Sequence, residues 1–413
     1  MRVAFLLQDL QLSGGVGVVV EHAGRLVRDH GFDVRLVLTR PQDVAPWPYA
    51  GLRQVPVLAL QEAEREKFDV AVSTWWQTTA DLFRLDAHRY AYFIQSFEDR
   101  TYGQHTPERL AAALTTALPV RFVTEARWIA HGIEELQPGT RALYVRNGVA
   151  KDVFVSPPEV VPKSLDEPLR IVIEGSRAVP FKGVDEALAA VRLMKERRKL
   201  TIVSPHPEDR DLPEVDRHVS GLSHTDMARL LREQHVMLKL SRVEGMYGPP
   251  LEAFHMGATC VTTPVTGFDE YVRHAENGLV VGWDDPRGTA RALDLLARDS
   301  VLLHRLRANA LQTARAWPSW QQSSQVMALA LHAVRREPPP AQRPSGMRLT
   351  SDIGTELAEQ EMRRREAQDL NALLHDMWSQ RAWVWSVKVR GWYHRARAPF
   401  GRIRRSLRRL VRR

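Results

Sequence analysis

The sequence predicts an α/β protein with two doubly wound domains, and three observations support this. Short apolar runs recur along the chain with helix-like segments between them, the signature of parallel βα units. The alternation halts near residue 155 and restarts near 169, on either side of the proline-rich stretch "VSPPEVVPKSLDEP". The chain has 413 residues, more than one ordinary core accommodates. The expected organisation is a first Rossmann-like domain over 1–155 and a linker over 156–168. A second domain follows over 169–336, then a helical tail over 345–413.

In the first domain "RVAFLL" reads as a buried strand, and the turn "SGGVG" follows it. "VVVEHAGRLVRDHG" then reads as a helix stopped by Gly31. "DVRLVLT", "DVAVSTW", "YAYFIQ" and "VRFVT" are further strands at parallel-sheet spacing. In the second domain "LRIVIEG", "KLTIVS", "HVSG", "VMLKL" and "ATCVTT" read as strands. Helices are expected from about Val184 and over "HTDMARLLREQ". Ligands of such sheets bind outside the carboxyl ends of the strands, which here is the cleft between the domains.

Composition narrows the class. Hydrophobic residues make up 44% and charged residues 26%, ordinary for a soluble protein. The single cysteine, Cys260, excludes an intrachain disulfide framework and suits a reducing compartment. Its place in a strand-like run marks it as a buried small hydrophobe. The apolar start is too short for a signal peptide, and no apolar stretch is long enough to span a membrane. The net charge of +9 is uneven: residues 381–413 hold twelve Lys and Arg and no Asp or Glu. Removing those twelve charges leaves about −3 on the other 380 residues, so the basic pI describes a tail. Residues 351–395 are mostly helix-permissive. Ile403, Leu407, Leu410 and Val411 then fall at i, i+4, i+7 and i+8 among arginines, the pattern of a basic amphipathic helix. With Trp378, Trp383, Trp385 and Trp392 before it, this tail suits an anionic membrane surface. The apolar stripe has no use on a phosphate backbone, so nucleic acid is the disfavoured partner. A helix that packs on a partner chain is the third reading.

The chemistry gathers at strand ends. In "EGMYGPPLE" two glutamates, Glu244 and Glu252, stand eight apart across glycines and prolines. The loop places backbone N–H groups and a carboxylate at a strand's carboxyl end. A helix starting near Pro249 or Pro250 would attract phosphate and hold Glu252 in its first turn. Carboxylates accept from sugar hydroxyls without needing to donate. In "GSRAVPFKGV", Arg177 and Lys182 are five apart in a turn bounded by Gly175 and Gly183, which suits a diphosphate. "GFDEYVRHAENGLVV" sets Glu270 at the same sheet edge. Each feature alone also reads as ordinary turn or helix-start chemistry.

Taken in order, "GSRAVPFKG", "EGMYGPPLEAFHMGATCVTT" and "GFDEYVRHAENGLVV" resemble the donor-binding domain of retaining GT-B glycosyltransferases of the family 4 type. "SGGVG" looks like that family's first glycine loop and "RNGVAKDVF" like its domain crossover. "YFIQSFEDRTYG" is similar to a segment of the rhamnosyltransferase branch that assembles bacterial surface glycans. The resemblance spans about residues 1–335. It implies that Arg177 and Lys182 bind the diphosphate of a nucleotide-sugar donor. It further implies that Glu244 faces the transferred sugar and Glu252 the ribose. Gly245, Met246 and Tyr247 would offer backbone N–H groups, and Gly14 and Gly15 would let the first domain approach the reacting centre. Tyr247 stands where the family usually has a second glycine, which bears on the donor sugar. On the acceptor side the candidates are Gln95, Glu98 and Trp76, with core packing the competing reading for Trp76 and a plain loop for Glu98. The acceptor is expected to be a glycan or lipid-linked glycan at the inner face of the plasma membrane, with the protein cytoplasmic and peripherally attached.

No metal and no cofactor are called for. "DRD", Asp209 to Asp211, has the Asp-x-Asp spacing of metal-dependent transferases but lies in a proline-bounded loop and reads as surface. The fifteen histidines form no metal spacing. His22 and His255 read as packing or surface residues. The competing functions are a nucleotide-sugar epimerase, which needs no acceptor, and a non-catalytic scaffold that kept the fold. A phosphorylase would need a pyridoxal phosphate lysine site, for which there is no candidate.

Overall fold

The computed structural model describes residues 1–338 except 12, 42–46, 48, 206–208, 210 and 211. The tail with its tryptophans and basic stripe lies outside the described residues, as do Arg210 and Asp211. The first domain is one parallel sheet of β1 (Arg2–Leu7), β2 (Asp33–Leu38), β3 (Val57–Ala59), β4 (Lys67–Ser73), β5 (Asp86–Ile94), β6 (Arg121–Thr124) and β7 (Leu143–Tyr144). Its order is β3-β2-β1-β4-β5-β6-β7. The second domain holds β8 (Leu169–Glu174), β9 (Arg198–Val203), β10 (Arg217–Val219), β11 (Val236–Lys239), β12 (Thr259–Thr262) and β13 (Gly278–Val280). They run β10-β9-β8-β11-β12-β13, again all parallel.

Apolar runs without alternation form these strands because helices cover both faces of each sheet. In the second domain Ile171, Ile173 and Leu238 pack toward one helical layer, and Val172, Met237 and Cys260 toward the other. In both sheets the strand order reverses beside the first strand, between β1 and β4 and between β8 and β11. A crevice opens at such a reversal, because the helices on either side lie on opposite faces.

Two segments differ from the sequence expectation. "SGGVG" is not a free loop. Ser13 caps a helix that runs Gly14–His30, its side chain accepting from the Val16 N–H. Gly31, at φ 66°, ends that helix as expected. The helix Trp320–Arg336, assigned by sequence to the second domain, buries Met327, Leu331 and Val334 in the first core, against residues such as Val3 and Phe5. The chain thus crosses between the domains twice. The crossings are joined where the Trp317 indole N–H donates to the Asn147 carbonyl at 2.8 Å and the Val149 N–H to the Pro318 carbonyl at 3.1 Å. His22 is wholly buried, its ring set edge-on to Phe93 and Trp320, a packing role. No helix among the described residues is long and apolar enough to cross a membrane.

Candidate active site

The register that pairs Val236 with Ile171 and Met237 with Val172 carries Lys239 level with Glu174. These are the last residues of β11 and β8, the two strands at the second sheet's switch point. Lys239 is buried, and its ammonium makes a close ion pair with the Glu174 carboxylate. It also donates to the Glu174 carbonyl at 3.2 Å and lies 3.8 Å from Glu244 Oε1. Burial alone would pull Lys239 down, but Glu174 and Glu244 hold it above the ordinary lysine value. Burial would likewise raise Glu174, but Lys239 and Lys182 bring it below the usual carboxylate range.

Beyond β8 the chain turns through Gly175 into a short 3-10 turn, Pro180–Lys182. Gly183 closes it at φ 67°, and a Cβ there would sit 2.1 Å from the Leu240 carbonyl oxygen. Only glycine lets this turn lie against the end of β11. The turn delivers Lys182 to Glu244, with Nζ at 3.0 and 3.3 Å from the two carboxylate oxygens. Arg177 is not part of that cluster. Its guanidinium is exposed and pairs with Asp185 at 2.6 Å, at the start of the following helix.

The "EGMYGPPLE" loop leads into a helix over Gly248–His255, with prolines in its first turn. Glu252 therefore falls one turn inside the helix rather than in its first turn. Its carboxyl has no hydrogen-bond partner among the described residues. Burial and the nearby Glu174 push it up to about 8, against the opposing pull of Lys239. Tyr247 is wholly buried. Its hydroxyl bonds the Lys239 carbonyl and the Thr262 hydroxyl, each at 2.8 Å. The aromatic ring, where the resemblance expects a glycine, thus fills the second domain's core and props the loop from beneath.

The loop meets the first domain directly. A Cβ on Gly245 would lie 1.9 Å from the Gln95 carbonyl oxygen. Gln95 in turn donates to the Gly15 carbonyl at 3.3 Å, so Gly15, Gln95 and Gly245 converge. The Met246 N–H, expected to face a ligand, instead donates to Glu125 at 2.9 Å. Glu125 also accepts from Asn147 at 2.6 Å. Its carboxyl is pushed up to about 7, chiefly by burial.

Glu270, expected beside the donor, is engaged by the first domain. Its carboxylate accepts the Arg127 N–H at 2.6 Å, at the N-terminus of the helix Arg127–Leu136, and the Tyr144 hydroxyl at 2.8 Å. Gly267, at φ 83°, turns the chain so that Glu270 meets that helix end, where the dipole favours an anion. Trp76 and Glu98, expected on the acceptor side, are buried inside the first domain. Glu98 accepts from the Trp76 N–H at 2.6 Å and the Tyr92 hydroxyl at 2.8 Å. The Trp76 indole N–H donates to Tyr102 at 2.9 Å. Burial pushes Glu98 up to about 8. Asp209, read as surface, is buried and accepts from Ser204 at 2.5 Å. No group of three or more metal-ligating side chains is assembled among the described residues.

Sequence reasoning missed Glu174, Lys239 and Glu125. Each is a charge at the carboxyl end of an apolar run, in "LRIVIEG", "VMLKL" and "VRFVTE". That position is the available signal.

Residues 168–299 match the family model described as "Glycosyl transferases group 1". No curated protein matches the chain by sequence. Solved structures match over most of its length. The Anabaena protein Alr3699/HepE, in complex with UDP and glucose, is 15% identical with a TM-score of 0.64, covering 81% of this chain and 100% of that one. Sucrose-phosphate synthase from Thermosynechococcus elongatus is 15% identical at TM-score 0.64, covering 80% and 98%. WaaG, a glycosyltransferase involved in lipopolysaccharide biosynthesis, is 15% identical at TM-score 0.62, covering 81% and 100%. The fold is GT-B. Two facing Rossmann-like domains, with a group 1 match over the second, define the class of this enzyme as glycosyltransferase.

Proposed function

We propose that this protein is a retaining, metal-independent glycosyltransferase of the family 4 type. It moves a sugar, with rhamnose among the candidates, from a nucleoside diphosphate donor to a bacterial surface glycan. The observation that carries the reading is the Lys182–Glu244 pair at the β8–β11 switch point, beside Gly245, which meets Gln95 of the other domain. In support, HepE is seen with UDP and with UDP-glucose, and WaaG acts in lipopolysaccharide biosynthesis.

On this reading Lys182 and Arg177 offset charge on the departing diphosphate, Arg177 by turning from Asp185. Glu244 accepts from the transferred sugar and Glu252 from the ribose. Gly14 and Gly15 open the helix N-terminus toward the reacting centre. The bond from the anomeric carbon to the phosphate oxygen breaks, and the acceptor oxygen bonds that carbon on the same face. The acceptor's proton passes to the departing phosphate. An electrostatic donor so placed is worth about 10² to 10³ in kcat.

The test is thermal unfolding against UDP, GDP, dTDP, ADP and CDP. A ligand at ~100 times its Kd stabilises the native state by about 2.7 kcal/mol. A shift with one nucleotide names the donor class, and no shift with any favours the scaffold reading. Turnover of nucleotide sugar without acceptor favours the epimerase.

The twelve cations of 381–413 extend the proposal to an anionic membrane surface, where a lipid-linked acceptor is presented. Deleting 381–413 is expected to abolish sedimentation with anionic vesicles while transfer to a soluble acceptor survives. Unchanged sedimentation overturns the membrane assignment.

A further inference from the structure

The switch point holds a second cation that the donor-site reading does not use. The Lys239 side chain is 0% exposed, its ammonium fixed by the Glu174 carboxylate and carbonyl. Lys182, at 27% side-chain exposure, is the more exposed of the two and lies at the surface of the cluster. In the structure Lys182 gives its ammonium to Glu244, yet the proposed chemistry asks the same ammonium to meet a diphosphate. Glu244 is only 11% exposed, so losing its cation would leave a largely buried carboxylate uncompensated, which is strongly unfavourable.

We infer that Lys239 is a positioning residue that holds Glu244 in place when Lys182 turns from Glu244 to the donor's diphosphate. The inference rests on the donor-site reading and deepens it. Lys239 Nζ is 3.8 Å from the Glu244 oxygen that Lys182 contacts at 3.0 Å, so a small inward shift of that carboxylate exchanges one cation for the other. The charged groups acting on Lys239 are Glu174 at the end of β8, Glu244 on the loop and Glu252 on the helix, while Lys182 on the turn shares Glu244 and Glu174 with it and the Tyr247 hydroxyl bonds its carbonyl. Glu174 and Glu244 balance the two lysines. Once Lys182 faces phosphate, Lys239 is the cation left between both carboxylates. Its depth keeps it from the ligand, so its effect is exerted through Glu244.

The experiment uses the full chain and whichever nucleoside diphosphate of the five binds it, with the matching nucleoside as control. Glu174→Gln with Lys239→Met removes the buried pair without leaving a lone charge. This double variant is expected to lose about ten- to a hundredfold in affinity for the diphosphate, the range of one charged hydrogen bond, with nucleoside affinity unchanged. Glu174→Gln alone frees Lys239 for Glu244 and is expected to bind the diphosphate more tightly than wild type. Wild-type diphosphate affinity in the double variant overturns the inference, as does an equal loss for nucleoside and diphosphate. Should the double variant fail to fold, weaker diphosphate binding by Glu174→Gln overturns it. If wild type binds none of the five, the donor-site reading itself fails and takes this inference with it.

Discussion

Glu244 and Glu252 stand eight residues apart and meet opposite electrostatic conditions. Glu244 lies between two lysines, 3.0 and 3.8 Å away. Glu252 has no hydrogen-bond partner among the described residues and is raised to about 8 by burial, then by Glu174. A carboxylate that accepts ribose hydroxyls binds better ionised, so donor binding should release the Glu252 proton. The sign follows: below about 8 affinity rises with pH, approaching tenfold per unit, and above it the dependence flattens. Calorimetry with the nucleoside diphosphate at pH 6.5, 7.5 and 8.5 measures this, and Glu252→Gln serves as the control that cancels the nucleotide's own ionisation. The variant is expected to bind about tenfold more weakly at pH 8.5 and to lose the excess slope. Parallel profiles in the two proteins would remove Glu252 from the ribose site.

At the scale of elements, most strands and both domain cores were legible because buried parallel strands are written as short apolar runs. β3, β7 and β13 were not, since edge strands of two or three residues carry almost no pattern. "SGGVG" read as a loop because glycine is a poor helix former. Ser13 overrides that by capping the first turn. Residues 320–336 were placed in the second domain by chain order alone, and chain order does not say which core the helix Trp320–Arg336 serves. The same holds for the site. Lys182, Glu244 and Glu252 could be singled out from local motifs. Lys239 and Glu174 are 65 residues apart and become partners only through the strand order that sets β11 beside β8. Glu270 was placed at the right sheet edge, but its bond to the Arg127 N–H depends on how the two domains meet. Trp76 and Glu98 show the converse: a polar loop motif gives no sign that its side chains turn inward.

Across the whole molecule, three buried carboxyl groups share one feature. Glu98 and Glu252 are raised to about 8 and Glu125 to about 7, each chiefly by burial. A raised acid favours the native state while protonated. Its contribution is full below the ordinary carboxyl value of 4.5 and is lost as pH rises through the folded value. Glu98 is the cleanest case, because it lies outside the proposed donor site. Both its donors, the Trp76 N–H and the Tyr92 hydroxyl, meet Oε2, and Oε1 is buried without a partner. Ionisation therefore places charge on an oxygen that nothing compensates. Glu98→Gln imitates the protonated form at every pH. At pH 5 it should unfold with wild type. By pH 9 it should be the more stable protein by roughly 2–4 kcal/mol, the gap opening across the window from about 4.5 to 8. Ion pairs such as Lys239–Glu174, whose carboxylate is lowered, act in the opposite direction on both proteins and cancel in the difference. The comparison belongs to the transition of the first domain, since two domains need not melt together. A constant gap from pH 5 to 9 would mean that Glu98 is ionised throughout. Its charge would then be part of how the first domain is held together, and the loop from Gln95 to Thr101 would be anchored by a buried anion instead of a buried acid.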